Sequence, residues 1–123
     1  MKKLLVLVLV LILVGVASWA DTFGTGQWLH DLWASAQKAN NHTATLSEYN
    51  SAFEYSGFVI GAASVMYDLG WLDLRDITYG QWVAVVGKYL DANPEQWNRS
   101  AERLIFYALY AAWPGKNASP YQE

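Results

Sequence analysis

Residues 78–113, TYGQWVAVVGKYLDANPEQWNRSAERLIFYALYAAW, constrain the fold more than any other stretch of the chain. Apolar side chains recur there at helical spacing in two blocks whose ends are marked. Thr78 and Gln81 stand at the N-cap and N3 positions of a capping box, where each side chain satisfies a backbone N–H left over at a helix start. Trp82, Val83, Val85, Val86, Tyr89 and Leu90 follow on one broad face. Asn93-Pro94 ends this block and opens the next, since proline has no N–H to lose at a first helical position and asparagine caps well. Trp97, Ala101, Leu104, Ile105, Ala108, Leu109 and Ala112 make the second stripe, which Pro114-Gly115 stops. So short a connection predicts two antiparallel helices packed face to face.

Upstream, Trp28, Leu29, Leu32, Trp33 and Ala36 give a narrow stripe for a first helix starting near Thr25, followed by a polar loop over residues 39–45. Thr45 and Glu48 read as a second capping box, opening a helix that runs to about Leu69. Its face is Phe53, Ser56, Val59, Ile60, Ala63 and Tyr67, flanked by Ala52 and Met66. Gly57 and Gly61 lie four apart on this helix. Each interior glycine costs roughly 1 kcal/mol against alanine, so the pair predicts a second helix crossing closely there. Gly70 is suited to end the helix, and residues 70–77, GWLDLRDI, interrupt the helical pattern. Residues 116–123 carry Pro, Asn and Ser and read as a frayed tail. No repeat and no convincing strand alternation is present. The fold class is all-α, a single small bundle of about four main helices.

The first twenty residues have the pattern of a secretory leader. Lys2 and Lys3 precede an unbroken apolar run over residues 4–14, and Ser18 and Ala20 sit at the −3 and −1 positions of a cleavage site. The competing reading is an uncleaved anchor, but a span needs ~20 apolar residues and this run weakens at Gly15 and Ser18. The chain has no cysteine, so a lipid-modified cysteine is excluded. The expected organisation is residues 1–20 as signal peptide, 21–115 as one all-α domain and 116–123 as a flexible tail, with export to the periplasm. Without Lys2 and Lys3, six Lys/Arg face eleven Asp/Glu. That acidic balance disfavours nucleic acid and anionic lipid and favours a cationic protein partner. Small exported domains often lean on disulfides. This one has to rely on packing, to which its many aromatic residues are suited.

Catalytic inventories fit poorly. Thiol nucleophiles are absent, and His30 and His42 are the only imidazoles. His30-Asp31 with His42 makes a weak metal-ligand pattern, better read as exposed polar residues. No nucleophile elbow accompanies any serine. Glu48 and Glu54 are out of helical phase; Glu95 and Glu102 are roughly in phase, but solvated carboxylates are the commoner case. The expected catalytic, cofactor-binding and metal sites are none. Most Trp and Tyr residues fall on apolar stripes, so core is favoured over a sugar-stacking platform. Three glycosylation sequons, at Asn41, Asn98 and Asn117, read as chance. Residues 70–77 are different. Trp71, Asp73, Arg75 and Asp76 form a mixed aromatic and charged set on a connector between well-capped helices, as recognition loops often do. The plainer reading tucks Trp71, Leu72 and Leu74 into a hydrophobic corner with the charges outward. Both stay open at this point.

Several segments, in order, resemble one known family. Tyr55-Ser56-Gly57-Phe58-Val59-Ile60-Gly61 is similar to its Tyr-x-Gly-aromatic-x-x-Gly helix, and Ile77-Thr78-Tyr79-Gly80-Gln81-Trp82 to its Val-Thr-x-x-Gln-Leu segment. Val85-Val86-Gly87-Lys88-Tyr89-Leu90 with Asn93-Pro94 resembles its Val-Val-x-Lys-Tyr-Leu and x-Pro step. Ala108-Leu109 through Ala112-Trp113-Pro114 resembles its ending, and Gly26-Gln27-Trp28-Leu29 matches a Gly-x-x-Leu element. This is the Rap/Tai family of exported immunity proteins for type VI secretion amidase effectors. The resemblance implies a periplasmic all-α protein, often a homodimer, that binds a peptidoglycan amidase, blocks it and catalyses nothing. Family members commonly carry two cysteines; here Trp33 stands in the first region and Leu72 or Leu74 in the second. That departure suggests a divergent branch, and a structural or glycan-binding helical module without immunity function is the alternative. The partner-binding set read from the loop is Trp71, Asp73, Arg75 and Asp76.

Overall fold

The computed structural model describes residues 2, 3 and 24–122; apart from Lys2 and Lys3, the expected leader lies outside the described residues. Four α-helices follow one another: α1 (Gly26–Asn40), α2 (Leu46–Asp68), α3 (Tyr79–Ala92) and α4 (Ala101–Ala112), with a 3-10 turn over Pro94–Gln96. No strand forms among the described residues, so the chain is a small all-α bundle. None of the described helices is long and apolar enough to cross a membrane.

Each α-helix starts on a hydroxyl. Thr25, Thr45, Thr78 and Ser100 accept from the backbone N–H three residues on, and each has extended backbone. Only α3 has the full reciprocal box, with Gln81 Oε1 accepting from Thr78 N–H at 2.9 Å. At α2 the box is half made. Glu48 turns to Lys38 of α1, 3.2 Å away, rather than to the Thr45 N–H.

One buried cluster unites the helices: Leu29 and Leu32 of α1, Tyr55, Val59 and Ala63 of α2, Val86 and Leu90 of α3, and Leu104, Ile105 and Leu109 of α4. α1 packs most extensively on α2, and α3 on α4. Trp33 makes the α1–α3 approach, and it is Gly87 that admits it: a Cβ there would overlap the Trp33 ring.

Three expectations are corrected. First, the step from α3 to α4 is longer than a tight hairpin. Pro94 starts only a 3-10 turn, Asn93 makes no side-chain cap, and α4 begins at Ala101. The cause lies in α1. Arg99 and Trp97 carbonyls accept from the N–H groups of Gly26 (2.8 Å) and Gln27 (2.9 Å), while Ala101 N–H donates to Gly24 O at 2.6 Å. Those carbonyls serve the first turn of α1 instead of an α-helical ladder. Gly26 is required by this approach, since a Cβ would stand 2.7 Å from Trp97 Cα.

Second, α2 is rotated from its expected face. Tyr55, Val59, Ala63 and Met66 are buried, whereas Phe53 is 75% exposed. The Tyr55 hydroxyl donates to Val83 O at 2.6 Å, so the ring has a polar partner inside and is drawn inward. With this rotation Gly57 and Gly61 face outward, and a Cβ at either meets nothing within 4 Å. None of the described helices crosses there; the close crossing is at Gly87.

Third, the tail packs in place of fraying. Ser119 is buried, and Tyr121 sits edge-on to Trp71 with ring centroids 5.9 Å apart.

Candidate functional site

The 70–77 loop is held at both ends by helix-terminal chemistry. Gly70 has φ +75°, the left-handed conformation that favours glycine. Its N–H donates to Tyr67 O and the Trp71 N–H to Met66 O, each at 2.9 Å, the paired bonds of a Schellman motif. At the far end the Thr78–Gln81 box starts α3.

Between these ends the side chains divide by character. Leu72 and Leu74 are buried. Trp71 is half-buried, its ring edge-on to Phe106 of α4 at 6.5 Å and to Tyr121. Asp73, Arg75 and Asp76 point away from this corner. Of the four residues expected to form a partner surface, Trp71 is therefore turned into the packing, and the three charged ones stand together on the outside.

Those three are not equivalent. Arg75 Nε donates to Asp73 Oδ1 at 2.8 Å and Nη2 to Oδ2 at 2.7 Å, a two-pronged pair two residues apart. The Arg75 hydrogen bonds hold the Asp73 carboxyl below its ordinary range, and Asp73 in turn raises the guanidinium. Because the pair is solvated, it fixes loop shape more than it adds stability. Asp76 has φ +60° and makes no hydrogen bond or ion pair with the described residues. Its carboxylate adds to the negative field on Arg75 without bonding to it, carried on a backbone conformation that aspartate tolerates better than most residues. A groove of about 320 Å³ runs beside the loop, bounded by Tyr67, Asp73, Arg75, Lys116 and Asn117.

The other candidates lie elsewhere. His30 shares a 3.0 Å hydrogen bond with Asp91 and stacks on Trp97 at 3.9 Å, while Trp33 Nε1 donates to Asp91 Oδ2 at 3.0 Å. This group braces α1 against the end of α3. His42, at φ +57°, is exposed in the α1–α2 loop and is not brought to His30. Among the described residues no three of His, Cys, Asp and Glu gather as metal ligands.

One surface went unread in the sequence, the outer side of α2. Residues 55–67 contain no charged side chain on any face. Phe53 and Val65, 75% and 57% exposed, bracket the open Gly57–Gly61 stretch. The absence of charge all round was the available signal, because a helix apolar on every side is normally covered.

A family model, described as Rap1a immunity proteins, matches residues 25–115. No curated protein matches the chain, and no solved structure does.

Proposed function

Because the chain belongs to the family of Rap1a immunity proteins, we propose that it binds a peptidoglycan amidase delivered by type VI secretion and silences it by occlusion in the periplasm. The observation that carries this reading is the family match, which spans all four helices. The protein acts by binding and carries out no chemistry of its own. The loop over residues 70–77 is the contact: a short charged segment anchored at both ends loses little freedom on binding. Asp76 presents its exposed carboxylate to a basic enzyme, and the acidic balance of the exported chain speeds the encounter. Residues 1–20 serve as the export signal and are removed.

The outer face of α2 supports a homodimer. Antiparallel pairing of the outer faces, centred midway between Gly57 and Gly61, sets Phe53 opposite Val65 of the second copy and Gly57 opposite Gly61. It sets Glu54 opposite Ser64, whereas a parallel pairing would oppose the two Glu54 carboxylates.

The deciding experiment is a pull-down with residues 21–123 from an extract of the source organism, with captured proteins identified by mass and assayed on peptidoglycan. Capture of a wall amidase that loses activity on binding supports the reading. Recovery of wall fragments alone, with no enzyme, sinks it in favour of a glycan-binding module. Asp76→Ala together with Asp73→Ala and Arg75→Ala should weaken capture at unchanged helix content; capture at full strength would move the contact away from the loop.

A further inference from the structure

We infer that the C-terminal segment, residues 113–122, is a positioning element for the 70–77 loop, with Asn117 and Tyr121 as its positioning residues. The inference rests on the reading of that loop as the amidase contact.

Beyond the two Schellman bonds to the end of α2, the main-chain bonds that tie the loop to the rest of the protein converge on this segment. Asp73 N–H donates to Trp113 O at 3.0 Å, Gly115 N–H to Trp71 O at 3.0 Å, and Asn117 N–H to Gly70 O at 2.9 Å. Leu72 and Pro114 pair as an antiparallel bridge between them. Asn117 does a second thing. Its Nδ2 donates to Leu69 O at 2.9 Å, satisfying a carbonyl that the end of α2 leaves without a helical partner. Gly70 makes room for it, since a Cβ there would lie 2.5 Å from that Nδ2.

Side chains fix the same relation. The Trp71 ring is held edge-on by Phe106 and Tyr121. Tyr121 is itself anchored on α4, with Phe106 at 5.7 Å and the Arg103 guanidinium 5.7 Å over its ring. Gln122 Nε2 donates to Tyr110 OH at 2.9 Å and Gln122 Oε1 accepts from Ser119 N–H at 2.7 Å, closing the tail onto the same helix. The tail is thus fastened to α4 and passes that order to the loop. Within the loop, the Asp73–Arg75 pair and the Ile77 N–H to Leu74 O bond shape the tip but do not tie it to the helices. A loop ordered before contact does not lose that freedom during binding, so the tail raises affinity without touching the partner.

The test measures loop order and binding separately, on the full exported chain with single substitutions. In Tyr121→Ala and Asn117→Ala the Asp73 amide should exchange with deuterium roughly tenfold faster, while amides within α1 and α3 keep their wild-type rates. Tyr121→Phe keeps the ring and removes only a hydroxyl that bonds to no described residue, so it should restore slow exchange. Inhibition of a purified peptidoglycan amidase that the wild-type chain inhibits should weaken about tenfold in Tyr121→Ala and recover in Tyr121→Phe. Unchanged Asp73 exchange in both alanine variants overturns the inference. So does faster exchange spread evenly over all helices, which would make the tail an ordinary stabiliser, and so does a loosened loop with undiminished inhibition. If the wild-type chain itself inhibits no amidase, the reading of the loop fails and takes the inference with it. The exchange data tell that failure apart from a failure of the tail.

Discussion

A methyl group added at Gly87 would enter the space of the Trp33 indole, while in the single chain one added at Gly57 or Gly61 would meet no described atom within 4 Å. Gly87→Ala should therefore cost about 1–3 kcal/mol, read as a fall in Tm, because a packed ring has to move. Gly57→Ala and Gly61→Ala should each raise stability by about 0.5–1 kcal/mol, through helix propensity alone. Equal effects at the three positions would contradict the packing described. Tyr55 gives a second residue-scale prediction. Burial, with the nearby Asp91 charge, raises its phenol well above the ordinary value of 10.0. Below that pH both folded and unfolded chains keep the proton, and stability is independent of it. Above it the unfolded chain releases a proton that the folded chain retains, so this residue makes stability fall by about 1.4 kcal/mol per pH unit. Tyr55→Phe should cost about 0.5–1.5 kcal/mol at neutral pH, from the lost hydrogen bond to the Val83 carbonyl. It should also flatten the alkaline limb of a denaturation series between pH 9 and 11. An unaltered limb would mean that Tyr55 reaches solvent.

At the scale of elements, the caps carry separable tests. Thr78→Ala removes the acceptor of the Gln81 N–H and the hydroxyl's bond to Gln81 Oε1, leaving only the backbone arm of the box, and Ser100→Ala breaks one bond, so each should lower stability by about 1 kcal/mol, the first by more. Chemical denaturation resolves the difference, and no loss at Thr78 would contradict the capping geometry. These elements also mark how far sequence patterns reach. The α3 start was legible because capping depends on residues three apart, and the ends of α1 and α2 were readable for the same local reason. The connector was not. Pro94 can begin an α-helix, and only the demand of Gly26 and Gln27 for the Arg99 and Trp97 carbonyls prevents it. The rotation of α2 was hidden likewise, since Phe53 and Tyr55 are both plausible core residues until the hydroxyl of one finds Val83 O. In the candidate site, the plainer reading, with Trp71, Leu72 and Leu74 tucked in and the charges outward, matches the packing of the loop. The part played by Asn117 and Tyr121 was not legible, because a polar, proline-containing tail looks alike whether it is packed or free.

For the whole molecule, the proposed self-association and the proposed partner binding fall on different surfaces and should respond to different changes. Gly61→Leu should shift the protein toward monomer in light scattering at low micromolar concentration, and leave amidase inhibition by the loop measurable. A variant as dimeric as wild type would remove α2 from the interface. Association with the proposed amidase should slow as salt rises, since an acidic chain would steer a basic enzyme over roughly 10 Å at 0.1 M salt. A salt-independent rate would exclude that steering. The pairing of Thr25 with Ser100 bears on the order of events as the chain is made. Synthesis from the N-terminus supplies the residues of the first helix early, yet its leading N–H groups meet only water until the carbonyls of Trp97 and Arg99 arrive. The two ends of the fold are therefore joined only once the connector before the last helix has been made.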